Sequence, residues 1–212
     1  VYRFGFLEET FFTWTLTPIY GEANRILGFY NAAFQTTDST LANRRLQTLR
    51  QLSERLPAAR QLKHFWSCVL NGLEDNYYDI PFALLYSIVD FDDTDTASLS
   101  SESGVTSKSC VLEGSLGVPD GHPAKPFKLD LKRGTQGFVP AFREAMRTRE
   151  PTMLHTRNGT LPEHLIEGIE WRGDGVPCKE AIIVPVRPTN GENIFAFLLI
   201  GVNPRRAYDD VC

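Results

Sequence analysis

Four cysteines and four histidines are the side chains of this 212-residue chain best suited to covalent or metal chemistry. Cys68, Cys110, Cys178 and Cys212 are scattered and form no CxxC pair. A small disulfide-bonded secreted domain would be denser in cysteine, so the thiols are expected to be free, in a reducing compartment. Cys178 follows Val176-Pro177 and could line a cleft, although a free cysteine is ordinarily a small buried hydrophobe. His64, His122, His155 and His164 lack metal-ligand spacing, and only His155, at the end of a buried strand, is placed for a ligand contact. Trp171, beside Arg172 and the Gly173-Asp174-Gly175 turn, could cover a pocket. The stretch Asp90–Gly104 carries five acids and no base, but it lacks the glycine and terminal glutamate of a calcium loop. There is no Gly-rich phosphate loop, no HExxH and no GxSxG. No catalytic site, metal or cofactor is therefore expected. A binding pocket for an unidentified small molecule is expected instead, lined by Phe142, His155, Trp171 and Cys178.

The elements that must position such a pocket are legible from periodicity. Phe12, Trp14 and Leu16 alternate with Thr13, Thr15 and Thr17, and the Gly21–Asn24 turn then leads to a second strand over about 25–34. Such a hairpin cannot bury a face alone. A helix from Asp38 or Ser39 to Leu56 carries a narrow stripe of Leu46, Leu49, Leu52 and Leu56, with Arg44, Arg45, Arg50 and Arg55 around it. Pro57 ends or kinks it. A second helix, about 58–73, presents Leu62, Phe65, Trp66, Val69 and Leu70. Strands follow at Phe82–Val89 and about 109–118, then a helix at Gly137–Arg147 and a short strand at Pro151–His155. Thr160-Leu161-Pro162-Glu163 reads as a capping box opening a helix with Leu161, Leu165, Ile166 and Ile169 inward. A final hairpin, Ala181–Val186 and Ile194–Val202, turns at Asn190-Gly191. The sum is an α+β fold with helices segregated to one face of an antiparallel sheet, leaving the pocket between sheet and helices.

Composition narrows the classes further. The length suits one domain, or one domain and part of another, and the chain starting at Val1 and stopping after a strand reads as a piece of something longer. A net charge of -4 argues against a nucleic-acid partner. No apolar run reaches the ~18–20 residues of a membrane span.

The order of these pieces resembles a known assembly. FFTWTLTPIYGEANRILGFYNAAFQTT looks like the last two strands of a PAS domain, and LANRRLQTLRQLSERLPAARQLKHFW like the signalling helix and first GAF helix that follow PAS in sensor kinases. LEGSLGVPDGHP, GFVPAFREAMRTREP, IIVPVRPT and FLLIGVNPRRAYDD resemble the GAF domain of fungal hybrid histidine kinases. The resemblance implies a GAF-like antiparallel sheet with helices packed on it and a division into three parts. Residues 1–37 would be PAS strands, 38–57 a signalling helix and 58–212 a GAF domain without its closing helix. It also implies a cytoplasmic regulatory fragment without activity of its own, in a parent that autophosphorylates on His and passes phosphate to Asp. Cys178 is followed by Lys179, so no Cys-His bilin attachment is present, and the Asn-Lys-Phe signature of cyclic-nucleotide GAF domains is missing. The leucine stripe predicts a parallel homodimer through the linker helix. Two other classes stand beside this one. The first is a GAF-fold free methionine sulfoxide reductase, for which Cys110 and Cys178 would have to meet. The second is a ligand-free GAF dimerisation module.

Overall fold

The computed structural model describes residues 1–3, 5–91, 107–189, 191 and 193–206. Most of the acidic stretch, Asn190 of the last turn, Tyr208 and Cys212 lie outside these residues. In chain order the elements are β1 (Tyr2–Arg3), β2 (Phe6–Leu7), β3 (Phe12–Tyr20), β4 (Ile26–Gln35), α1 (Thr37–Arg55) and α2 (Leu62–Glu74). There follow β5 (Ala83–Phe91), β6 (Ser107–Leu116), β7 (Lys128–Asp130), α3 (Val139–Thr148), β8 (Thr152–His155), β9 (Glu180–Val186) and β10 (Ala196–Gly201).

Six strands form one antiparallel sheet in the order β7-β6-β5-β10-β9-β8. The central strands β5 and β10 are apolar on both faces, as a sheet covered on both sides requires. On one face, Leu85 and Ala196 meet Trp66 and Leu70 of α2, and Ala83 meets Leu73 and Ile80. On the other, Phe82, Leu84, Tyr86, Cys110, Ile183, Phe197 and Leu199 pack against Val139, Phe142 and Ala145 of α3 and against the long connections. The fold is α+β, but its helices are not segregated. The apolar residues on both faces of β5 and β10 require a cover on each side, and α3 supplies the second.

The helix expected from Leu161 is a single turn, Glu163–Leu165. Thr160 does not cap it. Its hydroxyl is taken by the His155 N–H at 2.8 Å and by Asn158 Oδ1 at 2.6 Å, and Gly168 at φ +85° reverses the chain. Leu161, Leu165, Ile166 and Ile169 nevertheless point into the core.

The linker helix does not run on as a rod. It stops at Arg55, a tight turn at Leu56–Ala58 contains Pro57, and α2 runs back antiparallel. Gln51 bonds Asp75 at 3.2 Å and Arg55 bonds the Asn71 carbonyl at 2.7 Å. Buried Gly72 leaves the space that Leu52 occupies. The β3–β4 hairpin forms, with Trp14 opposite Ala33 and Leu16 opposite Asn31. Its apolar side chains are exposed on both faces, Trp14 at 64% and Tyr30 at 62%. Among the described residues no helix is long and apolar enough to cross a membrane.

Candidate functional site

Among the described residues, a dense polar cluster lies where the N-terminal segment, α1 and the sheet domain meet. Arg44 of α1 donates from Nη1 and Nη2 to the two carboxylate oxygens of Glu9, at 2.8 and 3.0 Å. The same guanidinium donates from Nε and Nη2 to Asp79, at 2.9 and 2.6 Å, and stands 5.3 Å from the centre of the Tyr78 ring. Asn203, just after β10, donates from Nδ2 to Glu9 at 3.0 Å and to Asp79 at 3.3 Å. Glu9 and Asn203 are buried, and Arg44 and Asp79 half-buried. A planar cation with forked donors suits two carboxylates in a way that a lysine would not. Burial pushes the Asp79 carboxyl up, but the hydrogen bonds and charge of Arg44, the Asn203 amide and the charge of Arg45 outweigh it and hold Asp79 below the usual carboxylate range. Burial likewise works against Arg44, yet Glu9 and Asp79 raise it further above its ordinary value. A second pairing reinforces the joint: Arg206 reaches Glu8 at 3.2 Å and Asp38 at 3.0 Å.

The structure does not gather the four sequence-predicted pocket residues around one opening. Phe142 is fully buried, stacked on Phe197 with centroids 4.7 Å apart and planes 8° apart. Cys178 is buried and its thiol donates to the Val202 carbonyl at 3.2 Å. Trp171 is half-buried at the core's rim, edge-on to Phe82 at 5.9 Å. His155 meets Glu180, its cross-strand partner, with Nδ1 3.0 Å from the carboxylate. His122 does structural work that its sequence context hides. Its Nδ1 accepts the Ala124 N–H at 3.1 Å, so Nε2 carries the proton and donates to the Glu167 carbonyl at 2.7 Å, joining two loops.

The thiol pair needed for sulfoxide chemistry is not assembled. Cys110 on β6 is opposite Ile88, whose N–H bonds Phe195 near one end of β10, whereas Cys178 lies beside Gly201 at the other end. Phe195 and Gly201 lie six residues apart along the chain, which alone separates the two thiols by roughly 20 Å. A disulfide needs Cβ atoms within ~4 Å. Burial also pushes both thiols up to about 12, away from the thiolate form that reacts. Among the described residues no cluster of His, Cys, Asp and Glu could hold a metal ion.

Two cavities open at the β7 edge of the sheet. One, of about 320 Å³, lies between the end of β6 and α3 and is lined by Lys108, Leu131, Lys132, Arg143 and Met146. Its neighbour, of about 400 Å³, is lined by residues including Ser109, Lys128, Asp130, Arg133 and Gln136. None of Phe142, His155, Trp171 or Cys178 lines either one.

The chain matches no family model, and no curated protein matches it in sequence. Among solved structures it is similar to the GAF domain of an Acinetobacter phosphoenolpyruvate-protein phosphotransferase, at 15% identity and TM-score 0.46, over 79% of this chain and 82% of that one. A methyl-accepting chemotaxis protein fragment gives 15% identity and TM-score 0.46 over 76% and 84% of the two chains. The fRMsr of Staphylococcus aureus, solved in complex with substrate, gives 16% and 0.46 over 79% and 84%. At such identities the likeness is one of fold, and no activity or ligand passes to this chain.

Proposed function

We propose that the chain is a regulatory sensor module. In this reading a GAF-type domain receives a small molecule or a partner and passes its state to α1, within a cytoplasmic two-component hybrid histidine kinase whose PAS domain contributes the β3–β4 hairpin. The observation that supports it is the Arg44 joint. One side chain of α1 is bonded at once to the segment preceding the hairpin, through Glu9, and to the sheet domain, through Asp79 and, via Asn203, the end of β10. A displacement of β10 or of the loop bearing Asp79 must then strain or move α1, which is what biasing a two-state helix assembly requires. The hairpin's exposed Trp14, Leu16, Phe29 and Phe34 suit a sheet that continues in further PAS strands.

The reading is tested in the full-length protein by histidine autophosphorylation. Arg44→Met is expected to change the basal rate by several-fold and to abolish its response to stimulus. A rate and response equal to wild type would contradict the relay. A second reading, a ligand-free dimerisation module, is favoured by the Phe142–Phe197 stack that fills the interior where a ligand would otherwise lie.

A further inference from the structure

We infer that the 320 Å³ cavity at the β6–α3 edge binds a small phosphate monoester, with Lys108, Lys132 and Arg143 taking the phosphoryl group and Leu131 and Met146 the organic part. The inference names an input for the proposed relay and draws on that reading only for the purpose of binding. Among the described residues three cations and no carboxylate line the cavity, in a chain whose net charge is -4. Lys132 is exposed and Lys108 half-buried at the cavity's mouth. Asp90 of β5 is the cross-strand partner of Lys108 and offsets part of its charge, while Asp130 on β7 is committed elsewhere: its Oδ1 accepts the backbone N–H groups of Lys132 and Arg133 at 2.7 and 3.1 Å.

Arg143 is already fixed for the task. Its Nε and Nη2 donate to the carbonyls of Leu131 and Gly134, both at 2.7 Å, which pins the guanidinium and leaves Nη1 for a ligand. A fixed guanidinium with two mobile ammonium groups matches a phosphate monoester, which carries about -1.5 to -2 near neutral pH. A single carboxylate would leave most of that positive charge unmatched. The two apolar walls favour an ester over the bare ion, and the volume lies at the small end of ligand sites, ~300–1,000 Å³. The plain alternative is that these lysines guard a sheet edge against pairing with another strand. Edge protection explains a lysine on β7 itself. It does not explain an arginine on α3 anchored by two carbonyls beside a cavity.

The test is a calorimetric titration of the chain with phenyl phosphate at about 0.15 M salt, where non-specific surface attraction is largely screened. The expected result is saturable binding, at least about tenfold tighter than inorganic phosphate and weakened about tenfold or more by Lys108→Gln with Lys132→Gln. The exposed Lys63→Gln on α2 should leave it unchanged. Equal melting temperatures show that the double variant is folded. Should that variant fail to fold, Lys132→Gln alone, at an exposed position, must still weaken binding. No saturable binding, or binding indifferent to these lysines, overturns the site, and equal affinity for inorganic phosphate overturns the organic ligand. Binding is read here directly and the relay through Arg44→Met, so either can fail without the other.

Discussion

Asp79 is where single-residue chemistry bears most on the account. Its carboxyl is held below the usual range in the folded chain, so the pairing stabilises the fold above the unfolded value of ~3.9 and is lost as pH falls through the lower folded value. Asp79→Asn leaves Arg44 bonded to Glu9 and Asn203 beside an altered partner. It should cost about 2 kcal/mol at pH 7, less than the ~3–5 kcal/mol of a fully buried broken pair. The gap from wild type in denaturant titrations should begin to narrow as pH falls below the unfolded value of ~3.9 and close as pH passes through the lower folded value; a gap that stays constant as pH is lowered would contradict the assignment. Gly201 offers a packing test. A Cβ there would collide with the fully buried Phe82 ring and stand 3.0 Å from Cys178 Sγ. Gly201→Ala should therefore destabilise by about 1–3 kcal/mol in thermal or denaturant unfolding. Nothing in the spacing of Glu9, Arg44, Asp79 and Asn203 announces their meeting, because Glu9 and Arg44 are 35 residues apart and Asp79 and Asn203 124 apart. Arg44 reads from sequence as one of several surface arginines on a helix, and only the fold shows what it faces.

At the scale of elements, strands were the most legible because their alternation is local. The period-two pattern of Phe12, Trp14 and Leu16 and the apolar runs of β5 and β10 give their positions directly. β7 escaped because a three-residue edge strand inside a Pro- and Gly-rich connection has too few residues to show a period. The Thr160 capping box misled because a hydroxyl that can cap a helix can equally bond a neighbouring strand. The leucine stripe of α1 divides. Leu52 packs on the Leu73–Ile80–Ala83 cluster, while Leu46 and Leu49 remain about 60% exposed, at 61% and 60%. A parallel homodimer through α1 would therefore use Leu46 and Leu49 as its seam. Arg50 is offset by Glu54 at 2.8 Å and Arg44 by the joint, so repulsion between two such helices is weaker than the sequence suggests. Leu46→Asp with Leu49→Asp should abolish self-association in sedimentation experiments, and Leu52→Ala should lower stability instead, by about 2–5 kcal/mol at most for a leucine only partly buried. Unchanged sedimentation of the first variant would remove the seam.

Over the whole molecule, the six-stranded sheet carries helices on both faces, and its interior is closed by the Phe142–Phe197 stack. Phe142, expected to line a pocket, instead helps to fill the interior, while Trp171 sits at the rim. Ligand-sized space opens instead beside Gln35–Ser39 and at the β7 edge, where lysines and an arginine look in sequence like ordinary solvated surface. The central claim is that the Arg44 joint couples this domain to its N-terminal segment and to α1, and hydrogen exchange tests that claim most directly. Amides of α1 should exchange faster in Arg44→Met than in wild type, together with those of Glu8–Phe11, while β5, β9 and β10 stay protected to the same degree. Arg44→Lys, which keeps the charge but loses the fork, should fall between them. If α1 in Arg44→Met exchanges at the wild-type rate, the helix is held by its packing on α2 and the Arg206–Asp38 pair, and the joint carries no signal.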